Sequence, residues 1–243
     1  MKYEPSVEYL DLTLPSAAAN LACDEALLDA CEEGTGGQML RFWEPDEYFV
    51  VAGFSNEVAR EVNVPACRQA GVGIFRRCSG GGTVLQGSGC LNYSLVLSLE
   101  AHPQCQTIPA ANHYIMEAHR RALAALLREP VEIRGITDLV MAGQKFSGNA
   151  QRRKRRALLF HGTFLLSFDL ALVERFLTMP SRQPDYRENR PHGDFLTNVP
   201  ASAVAVLEAL RSSWQADEPA HVTPDWQKLA AEKYSRDEWN LKF

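Results

Sequence analysis

Hydrophobic residues recur along the chain with two different periods, which predict a succession of helices and strands. Between residues 16 and 33 they fall at helical spacing, and Ser16 is a suitable N-cap. Between residues 91 and 99 they occupy every odd position, as expected for a strand. The even positions of that strand include Asn92, Ser94 and Ser98. The first pattern therefore predicts an amphipathic helix, and the second predicts a strand with one polar face.

Similar patterns predict the other elements. Strands are expected over 39–43, 48–54, 72–77, 138–147 and 157–166, and helices over 109–128, 169–178, 201–214 and 224–234, the last beginning at a proline. The first two strands are predicted to be neighbours, because only Glu-Pro-Asp-Glu lies between their apolar runs. Adjacent strands joined by short turns favour antiparallel pairing. The sequence thus predicts an α+β fold with a mixed, mostly antiparallel sheet flanked by helices.

Composition fits a globular enzyme. The 243 residues are 46% hydrophobic and 23% charged, with no internal repeat or low-complexity linker. We therefore expect one domain over 1–243, with about 200–243 as a helical C-terminal tail. The net charge of −5 argues against a general nucleic-acid binder. The N-terminal residues do not resemble a signal peptide, and no apolar run is long enough for a membrane span. These features favour a cytoplasmic protein.

The cysteines give no sign of a metal site. There is no CxxC pair, and no spacing typical of zinc ligands. Several of the six have apolar neighbours, so we expect buried free thiols. Because six is an even number, a secreted, disulfide-linked origin is disfavoured rather than excluded.

The most distinctive segment is Arg-Arg-Cys-Ser-Gly-Gly-Gly-Thr-Val at 76–84. Three consecutive glycines permit positive φ angles and let backbone N–H groups approach an anion. Arg76 and Arg77 supply forked donors that match phosphate geometry. Taken alone, the segment favours a flexible turn flanked by solvated arginines. It is neither a P-loop nor a dinucleotide-binding fingerprint.

Two further segments carry candidate chemistry. Lys145, in Gly-Gln-Lys-Phe-Ser-Gly, would neutralise a phosphate and polarise an acyl carbonyl, whereas a solvated lysine is the simpler alternative. Asp138 would either hold a divalent metal or pair with a cation. His161 lies in an apolar strand, where it is either a hydrogen-bonded structural residue or a catalytic base.

The order of these motifs resembles the lipoate–protein ligases of the biotin/lipoate protein ligase superfamily, over about residues 8–243. The matching motifs are Asn-Leu-Ala-Cys-Asp-Glu-Ala-Leu at 20–27, Gly-Phe-Ser at 53–55, the glycine-rich segment, Asn-Tyr-Ser at 92–94, the Lys145 segment, His-Gly-Thr at 161–163, and Tyr-Arg-x-x-Arg-x-His-x-x-Phe-Leu-Thr-Asn at 186–198.

The resemblance implies a fold similar to biotin ligases and the class II synthetase core. It also implies an ATP-dependent ligase that converts lipoate or octanoate into an acyl-adenylate. The acyl group would then pass to a lysine of a lipoyl carrier domain, either in the E2 subunits of 2-oxoacid dehydrogenases or in the glycine cleavage H protein. ATP and Mg²⁺ are the implied cofactors, and neither nucleic acid nor membrane is an implied partner.

The resemblance also implies roles for individual residues. Lys145 would be the catalytic residue. The implied ATP-binding residues are Arg77, Gly82, Thr83, Val84, Leu85 and Lys145. The implied lipoate-binding residues are Gly80, Gly81, Asn92, Lys145, Gly148 and His161. Asp138 would bind the metal. Alternating apolar residues around 91–97 and 160–165 are expected to line the slot for the acyl tail.

Two departures from the family pattern open alternatives. Single-chain bacterial ligases continue beyond the segment matching 233–240 into an accessory domain, whereas this sequence stops at Phe243. A separate accessory subunit, or an activity limited to acyl transfer, is therefore expected. Related octanoyl- and lipoyl-transferases work without ATP through a cysteine thiolate just before the lysine segment. Residues 134–138 contain no cysteine, and Cys105 is the nearest one upstream, which disfavours a thiol-dependent transferase.

Two other functions are less well matched. A biotin ligase would carry an arginine-containing glycine signature that is absent here. The basic run at 152–156 would suit nucleic acid or an anionic membrane, but no aromatic residue interrupts it for stacking on bases. We interpret the run as a solvated loop, or as a docking patch for an acidic carrier domain.

Overall fold

A computed structural model describes residues 6–221 and 224–243. The remaining residues of the range predicted as one domain lie outside the described residues. The described strands are β1 Val7–Asp11, β2 Gln38–Trp43, β3 Phe49–Ala52, β4 Gly73–Arg76, β5 Val84–Gln86, β6 Cys90–Ser98, β7 Glu132–Arg134, β8 Asp138–Met141, β9 Gln144–Arg153 and β10 Ala157–Leu165.

Helices connect and cover these strands. They are α1 Ala17–Glu33, α2 Val58–Glu61, α3 Val64–Ala70, α4 Ile108–Leu127, α5 Ala171–Phe176, α6 His192–Phe195 and α7 Ala203–Trp214. Single 3₁₀ turns occur at Pro103–Cys105 and Asp185–Arg187. Near the C-terminus, the short helices Gln227–Leu229 and Asp237–Asn240 flank a π-helical turn, Ala230–Tyr234.

Two sheets organise the fold. The larger has seven strands in the order β1-β2-β6-β10-β9-β8-β7, and the smaller has three in the order β4-β3-β5. Within the described residues, the named strands pair in parallel only at β1–β2 and at β3–β4. The predicted α+β class with a mixed, mostly antiparallel sheet is confirmed.

Helix α1 covers one face of the larger sheet. Ser16 caps it by accepting a hydrogen bond from the Ala19 N–H at 3.2 Å, and Gly34 ends it with a φ of 77°. Leu27 and Leu28 pack with apolar residues of β6 and β10. The predicted helix and its N-cap are confirmed, but its predicted amphipathic character is wrong, because residues 18–24 are all buried.

Helices α4 and α7 cover the opposite face, where the largest hydrophobic core lies. His119 of α4 is buried there, and its Nε2 accepts a hydrogen bond from the Trp214 indole of α7 at 2.9 Å. Because both faces of the sheet are covered, the polar face predicted for β6 is buried as well. Asn92 is 2% exposed and Ser94 is fully buried.

Three predicted elements are wrong in detail. The strands expected over 39–43 and 48–54 are not neighbours, because β2 joins the seven-stranded sheet and β3 joins the smaller one. The single strand expected over 138–147 is a hairpin, whose turn uses positive φ angles at Ala142 and Gly143. The last predicted helix begins at Gln227 rather than at the proline.

The hairpin of β8 and β9 contains a β-bulge. Leu139 pairs with Ser147, but the next residue, Val140, pairs with Lys145, so Phe146 is an extra residue in β9. Phe146 is fully buried in the main core. Since side chains alternate along a strand, regular pairing would put Lys145 on the core face. The bulge instead places it on the opposite face.

Among the described residues, no helix is both long enough and apolar enough to cross a membrane.

The buried imidazole of His119 generates a prediction about stability. Burial lowers the pKa of His119 to about 3, so the folded chain keeps it neutral while the unfolded chain binds a proton near pH 6.5. Its contribution is fully present above pH 6.5 and is lost as pH falls towards 3. We expect the free energy of unfolding to fall by up to about 1.4 kcal/mol per pH unit in this window.

Urea unfolding at pH 7.5, 6.0 and 5.0, followed by tryptophan fluorescence, measures this dependence. His119→Gln keeps an acceptor for Trp214 and should reduce the pH dependence of the free energy of unfolding. Substituting the exposed His113 with glutamine is the matched control and should leave it unchanged. Equal pH dependence in wild type and His119→Gln would contradict the prediction.

Candidate functional site

Arg77 holds the glycine-rich loop between β4 and β5 in shape. Its guanidinium donates hydrogen bonds to the carbonyl oxygens of Gly80 at 2.6 Å and Gly82 at 2.7 Å, and to the Ser79 hydroxyl at 3.1 Å. Burial lowers the pKa of Arg77 to about 10, which leaves it charged at neutral pH. The loop is therefore wrapped around a buried cation, and it is not the flexible turn considered as the alternative.

The neighbouring Arg76 ties the loop to the C-terminal segment. Its side chain donates to the carbonyl oxygens of Gly53 at 2.7 Å and Trp239 at 3.2 Å, and its backbone N–H donates to the Asn240 side chain at 3.0 Å. Both arginines are buried. Most of the forked donors expected to face a phosphate are thus already engaged with groups of the chain itself, and the buried Arg76 Nη2 has no hydrogen-bond partner among the described residues.

Close packing of the loop on the smaller sheet requires two glycines. A Cβ atom on Gly53 would lie 2.1 Å from the Gly81 carbonyl oxygen, which is too close for any side chain. Gly81 itself has a φ of 88°, a conformation that favours glycine. By contrast, a Cβ atom on Gly80 or Gly82 would meet nothing within 4 Å. Only the central glycine of the three is therefore demanded by backbone geometry.

Two cross-strand rows of the larger sheet form a polar floor. Residues aligned by the strand register project from the same face of a sheet. The first row consists of Trp43, Asn92, Thr163, Gly148 and Asp138. The second row consists of Arg41, Ser94, His161 and Ala150. Motifs that are far apart in the sequence are thus brought together on one surface.

Lys145 lies over this floor, paired with Asp138. Its ammonium is 2.7 Å from Asp138 Oδ1, and the Tyr186 hydroxyl donates to Asp138 Oδ2 at 2.8 Å. A Cβ atom on Gly148 would lie 2.7 Å from Lys145 Nζ, so this glycine leaves the space that the ammonium occupies. The Lys145 side chain is 23% exposed, so the fixed cation remains accessible.

The predicted metal role of Asp138 is not supported by its surroundings. Both carboxylate oxygens are engaged, one by Lys145 and the other by Tyr186. Within residues 6–221 and 224–243, no group of three or more His, Cys, Asp and Glu side chains could hold a metal ion. Magnesium prefers several oxygen ligands in octahedral geometry, so this donor set does not fit it. Asp138 instead pairs with a cation, the second of the two roles considered for it.

A buried network links the second row of the floor to the loop. His161 Nε2 is 2.5 Å from the Ser79 hydroxyl, and its Nδ1 is 3.6 Å from Asp24. Arg41 pairs with Asp24 at 2.6 Å. Burial alone would raise the pKa of Asp24, but Arg41 and His161 lower it, and the net pKa is lowered. The Asp24 carboxylate therefore anchors the floor as a stable anion.

The segment after α5 forms a wall beside Lys145. Thr197 N–H donates to the Lys145 carbonyl at 2.9 Å, and Arg190 donates to the Gly143 carbonyl at 3.0 Å. His192 Nε2 lies 3.1 Å from the Thr178 carbonyl oxygen. The family-like motif at 186–198, to which the sequence assigned no role, is this wall.

A cavity of about 770 Å³ lies between the floor, the loop and this wall. Its apolar lining includes Leu21, Trp43, Val51, Leu85, Leu165, Phe168, Val173, Leu177 and Leu196. The predicted tail slot around 91–97 and 160–165 is wrong for most of its residues. The reason is that Leu91, Leu95, Phe160 and Phe164 face the core under α4 and α7.

Most predicted binding residues line this cavity. They are Arg77, Gly81, Gly82, Thr83, Val84, Leu85, Asn92, Lys145, Gly148 and His161, together with Asp138. Gly80 is outside this lining. The structure brings these residues together, while their roles in binding stay predictions.

Sequence reasoning missed several members of the site. Tyr186 holds Asp138, and Arg41 holds Asp24. Glu61 is 5% exposed in the cavity wall and accepts a hydrogen bond from the Ser181 hydroxyl. The family-like motif at 186–198 was a signal for Tyr186, whereas nothing in the local pattern distinguished Glu61.

None of the six cysteines lines the cavity as described. Burial raises the pKa of Cys78 and Cys90 to about 12, and that of Cys23 and Cys105 to about 11. Burial also raises the pKa of the two remaining thiols. A thiolate nucleophile is therefore disfavoured by both position and protonation.

The basic run at 152–156 is largely occupied by contacts within the chain. Arg153 donates to the carbonyl oxygens of Cys105 and Gln106, Lys154 pairs with Asp29, and Arg156 donates to Glu32; Arg152 lies over the Phe54 ring. Most of its charges therefore have partners within the chain, while Arg152, Arg155 and Arg156 are exposed. Its role as a docking patch stays a prediction.

Comparison with known proteins gives a family and several relatives. The model of the lipoyl protein ligase A/B catalytic domain matches residues 16–208. Octanoyltransferase LipM of Geobacillus kaustophilus is 28% identical, with 96% of this chain and 97% of the relative covered. Octanoyltransferase LipM of Brevibacillus brevis is 25% identical, with 96% and 98% covered.

Solved structures share the fold. A bipartite lipoate protein ligase from Thermoplasma acidophilum is 24% identical with a TM-score of 0.81, covering 98% of this chain and 96% of that one. Lipoate-protein ligase A in an ATP-bound structure is 26% identical with a TM-score of 0.78, and 98% of each chain is covered. What those proteins bind is a property of those proteins.

The expectation of an ATP-dependent, adenylate-forming ligase with ATP and Mg²⁺ as cofactors is wrong. The curated relatives that match most of the chain are octanoyltransferases, which by their class move an acyl group already activated on a donor. The local geometry agrees, since most donors of Arg76 and Arg77 and both carboxylate oxygens of Asp138 are engaged within the chain.

The buried Arg77 generates a prediction about the loop. Arg77→Gln removes most of its donors and leaves the Gly80 and Gly82 carbonyls without a charged partner. Hydrogen bonds to charged groups contribute about 1.5–3 kcal/mol each, so we expect the free energy of unfolding to fall by about 3 kcal/mol. Hydrogen–deuterium exchange of the amides at 80–83 should accelerate at least about tenfold, because the loop loses the cation that orders it.

Replacing the exposed Arg68 with glutamine is the matched control and should change neither measurement. Unchanged exchange at 80–83 in Arg77→Gln would show that the loop is ordered by something other than this guanidinium.

Proposed function

The chain belongs to the lipoyl protein ligase A/B catalytic domain family, and on that premise we propose that it is an ATP-independent octanoyltransferase. It takes an octanoyl group from a thioester donor and transfers it to a lysine of a lipoyl carrier domain. The observation that carries the proposal is the accessible Lys145 ammonium, fixed by Asp138 in a cavity with apolar walls.

The fixed cation suits the chemistry of acyl transfer. When an amine attacks a thioester, the C–N bond forms and negative charge develops on the carbonyl oxygen. The C–S bond then breaks, and the thiol leaves. A preorganised ammonium at the oxygen stabilises that charge without having to reorganise during the reaction. The thioester is already activated, so no nucleotide is required.

Transfer is direct, without an acyl-enzyme intermediate. A covalent route would need a nucleophile beside Lys145, and the described cavity lining contains no cysteine. All six thiols have raised pKa values, so they are protonated at neutral pH. The amine of the carrier therefore attacks the donor thioester itself.

The apolar walls suit a medium-length acyl chain. Phe168, Val173 and Leu177 belong to a single hydrophobic cluster beside the cavity. Burial of each CH₂ group contributes about 0.8 kcal/mol, so an octanoyl tail would gain about 5 kcal/mol from these walls. The volume of about 770 Å³ leaves further room for the donor arm and the incoming lysine.

We propose lipoyl carrier domains as acceptors, specifically those of 2-oxoacid dehydrogenase E2 subunits or the glycine cleavage H protein. The Thermoplasma structure pairs a ligase of the same fold with its E2 lipoyl domain, which supports this class of acceptor. The reaction as written needs no accessory subunit. We also propose that 1–243 acts as one catalytic domain, because Arg76 joins the C-terminal segment to the loop.

Incubation with an octanoyl thioester and an apo lipoyl domain, without ATP or Mg²⁺, tests the proposal. The mass of the carrier should increase by one octanoyl group. Lys145→Met should slow the transfer by about 10²–10³-fold, the typical cost of removing one preorganised group from the developing oxyanion. Substituting the exposed Lys228 with methionine is the matched control and should leave the rate unchanged.

Two outcomes would overturn the proposal. A requirement for ATP, with no transfer from the thioester, would restore an adenylate-forming ligase. An octanoyl group trapped on the enzyme during turnover would replace direct transfer with an acyl-enzyme route.

A further inference from the structure

We propose that His192 is the proton-transfer residue of this acyl transfer, an inference that rests on the proposed function. Its Nδ1 atom accepts a proton from the attacking amine and returns it to the leaving sulfur. Neither the sequence nor the family comparison assigned a role to this residue.

The hydrogen bond of His192 fixes its tautomer. Nε2 lies 3.1 Å from the Thr178 carbonyl oxygen, and a carbonyl oxygen can only accept. Nε2 therefore carries the proton, which leaves a lone pair on Nδ1. Within the described part of the chain, Nδ1 has no hydrogen-bond partner, and it is not sealed away from solvent as the equivalent atom of His119 is.

The backbone of His192 is close to that of the fixed lysine. His192 is the first residue of α6 and lines the cavity. The residue that follows α6, Leu196, forms a bridge with Lys145, and the next N–H donates to the Lys145 carbonyl. One short helical turn therefore separates His192 from the backbone of Lys145.

The surroundings keep this imidazole neutral. Burial lowers the pKa of His192, the Thr178 carbonyl and Glu174 oppose this, and the positive charges of Arg187 and Lys145 lower it further. The net pKa is below its usual range. A neutral imidazole at pH 7 is the form that can accept a proton.

The other imidazole in the cavity lining, His161, is less suited to this task. Its Nε2 is engaged by the Ser79 hydroxyl, and its Nδ1 faces Asp24. Both nitrogens of His161 therefore face partners in the floor and the loop, whereas Nδ1 of His192 is free to accept a proton.

The proton balance closes without another reactant. The neutral carrier amine attacks the thioester carbon, which forms the C–N bond and leaves positive charge on nitrogen. Nδ1 accepts one proton from that nitrogen. When the C–S bond breaks, the electron pair leaves on sulfur, and the imidazolium protonates it. The products are the amide and the free thiol, and His192 is neutral again.

His192→Gln tests the inference, because the glutamine amide can still donate to the Thr178 carbonyl but cannot act as a base. We expect kcat for octanoyl transfer to the carrier lysine to fall about 10²-fold at pH 7.5, with KM for the thioester unchanged. His113→Gln, on an exposed face of α4, is the matched control and should retain the full rate.

Hydroxylamine as the acceptor separates base catalysis from misfolding. The attacked intermediate of this weakly basic amine loses its proton readily, so formation of octanoyl hydroxamate should fall less than about threefold in the variant. An equal loss with both acceptors, or an undiminished rate with the carrier lysine, would overturn the role of His192. If the wild type transfers nothing from the thioester to either acceptor, the proposed function itself fails.

Discussion

The glycine-rich loop of the site depends on burying two positive charges without carboxylate partners. Arg76 and Arg77 enter the protein interior with mainly carbonyl oxygens around them, and those oxygens come from the loop and from the C-terminal segment. A buried guanidinium left unpaired would be very costly, so the chain must bring enough backbone to each cation. Meeting that requirement shapes the loop and fixes its distance from the sheet.

The same residues that suggest a phosphate site in the sequence therefore serve another purpose in the fold. Lys145 retains an accessible charge. Asp138 pairs with its ammonium, and Gly148 leaves the space that the ammonium occupies. This fixed cation beside apolar walls suits an acyl carbonyl. The polar floor and the transferase relatives both support the proposed acyl transfer.

Local patterns were sufficient to predict much of the fold. The N-cap of α1, the alternation of β6 and the preference for antiparallel pairing all follow from short-range side-chain patterns. The partition of β2 and β3 between two sheets could not be predicted, because it depends on contacts between residues distant in sequence. Most of the predicted site residues line the cavity, but Tyr186 and Glu61 were missed, and the hydrogen bonds within the site were not predicted. Glycine and arginine content does not reveal that Arg77 donates its hydrogen bonds to backbone carbonyl groups, or that Tyr186 donates a hydrogen bond to Asp138.

The bulge at Phe146 shows that folding and the proposed activity depend on different features of the hairpin. The hydrophobic pattern of the hairpin satisfies the core, whereas the presence of one surplus residue decides which side of the sheet receives the lysine. The identity of the residues thus determines core packing, whereas their number determines the orientation of Lys145. A homologue could keep every motif, lose one residue from this hairpin and fold normally as a binding protein without a catalyst. Spacing within the hairpin is therefore a better marker of activity across such homologues than the lysine alone.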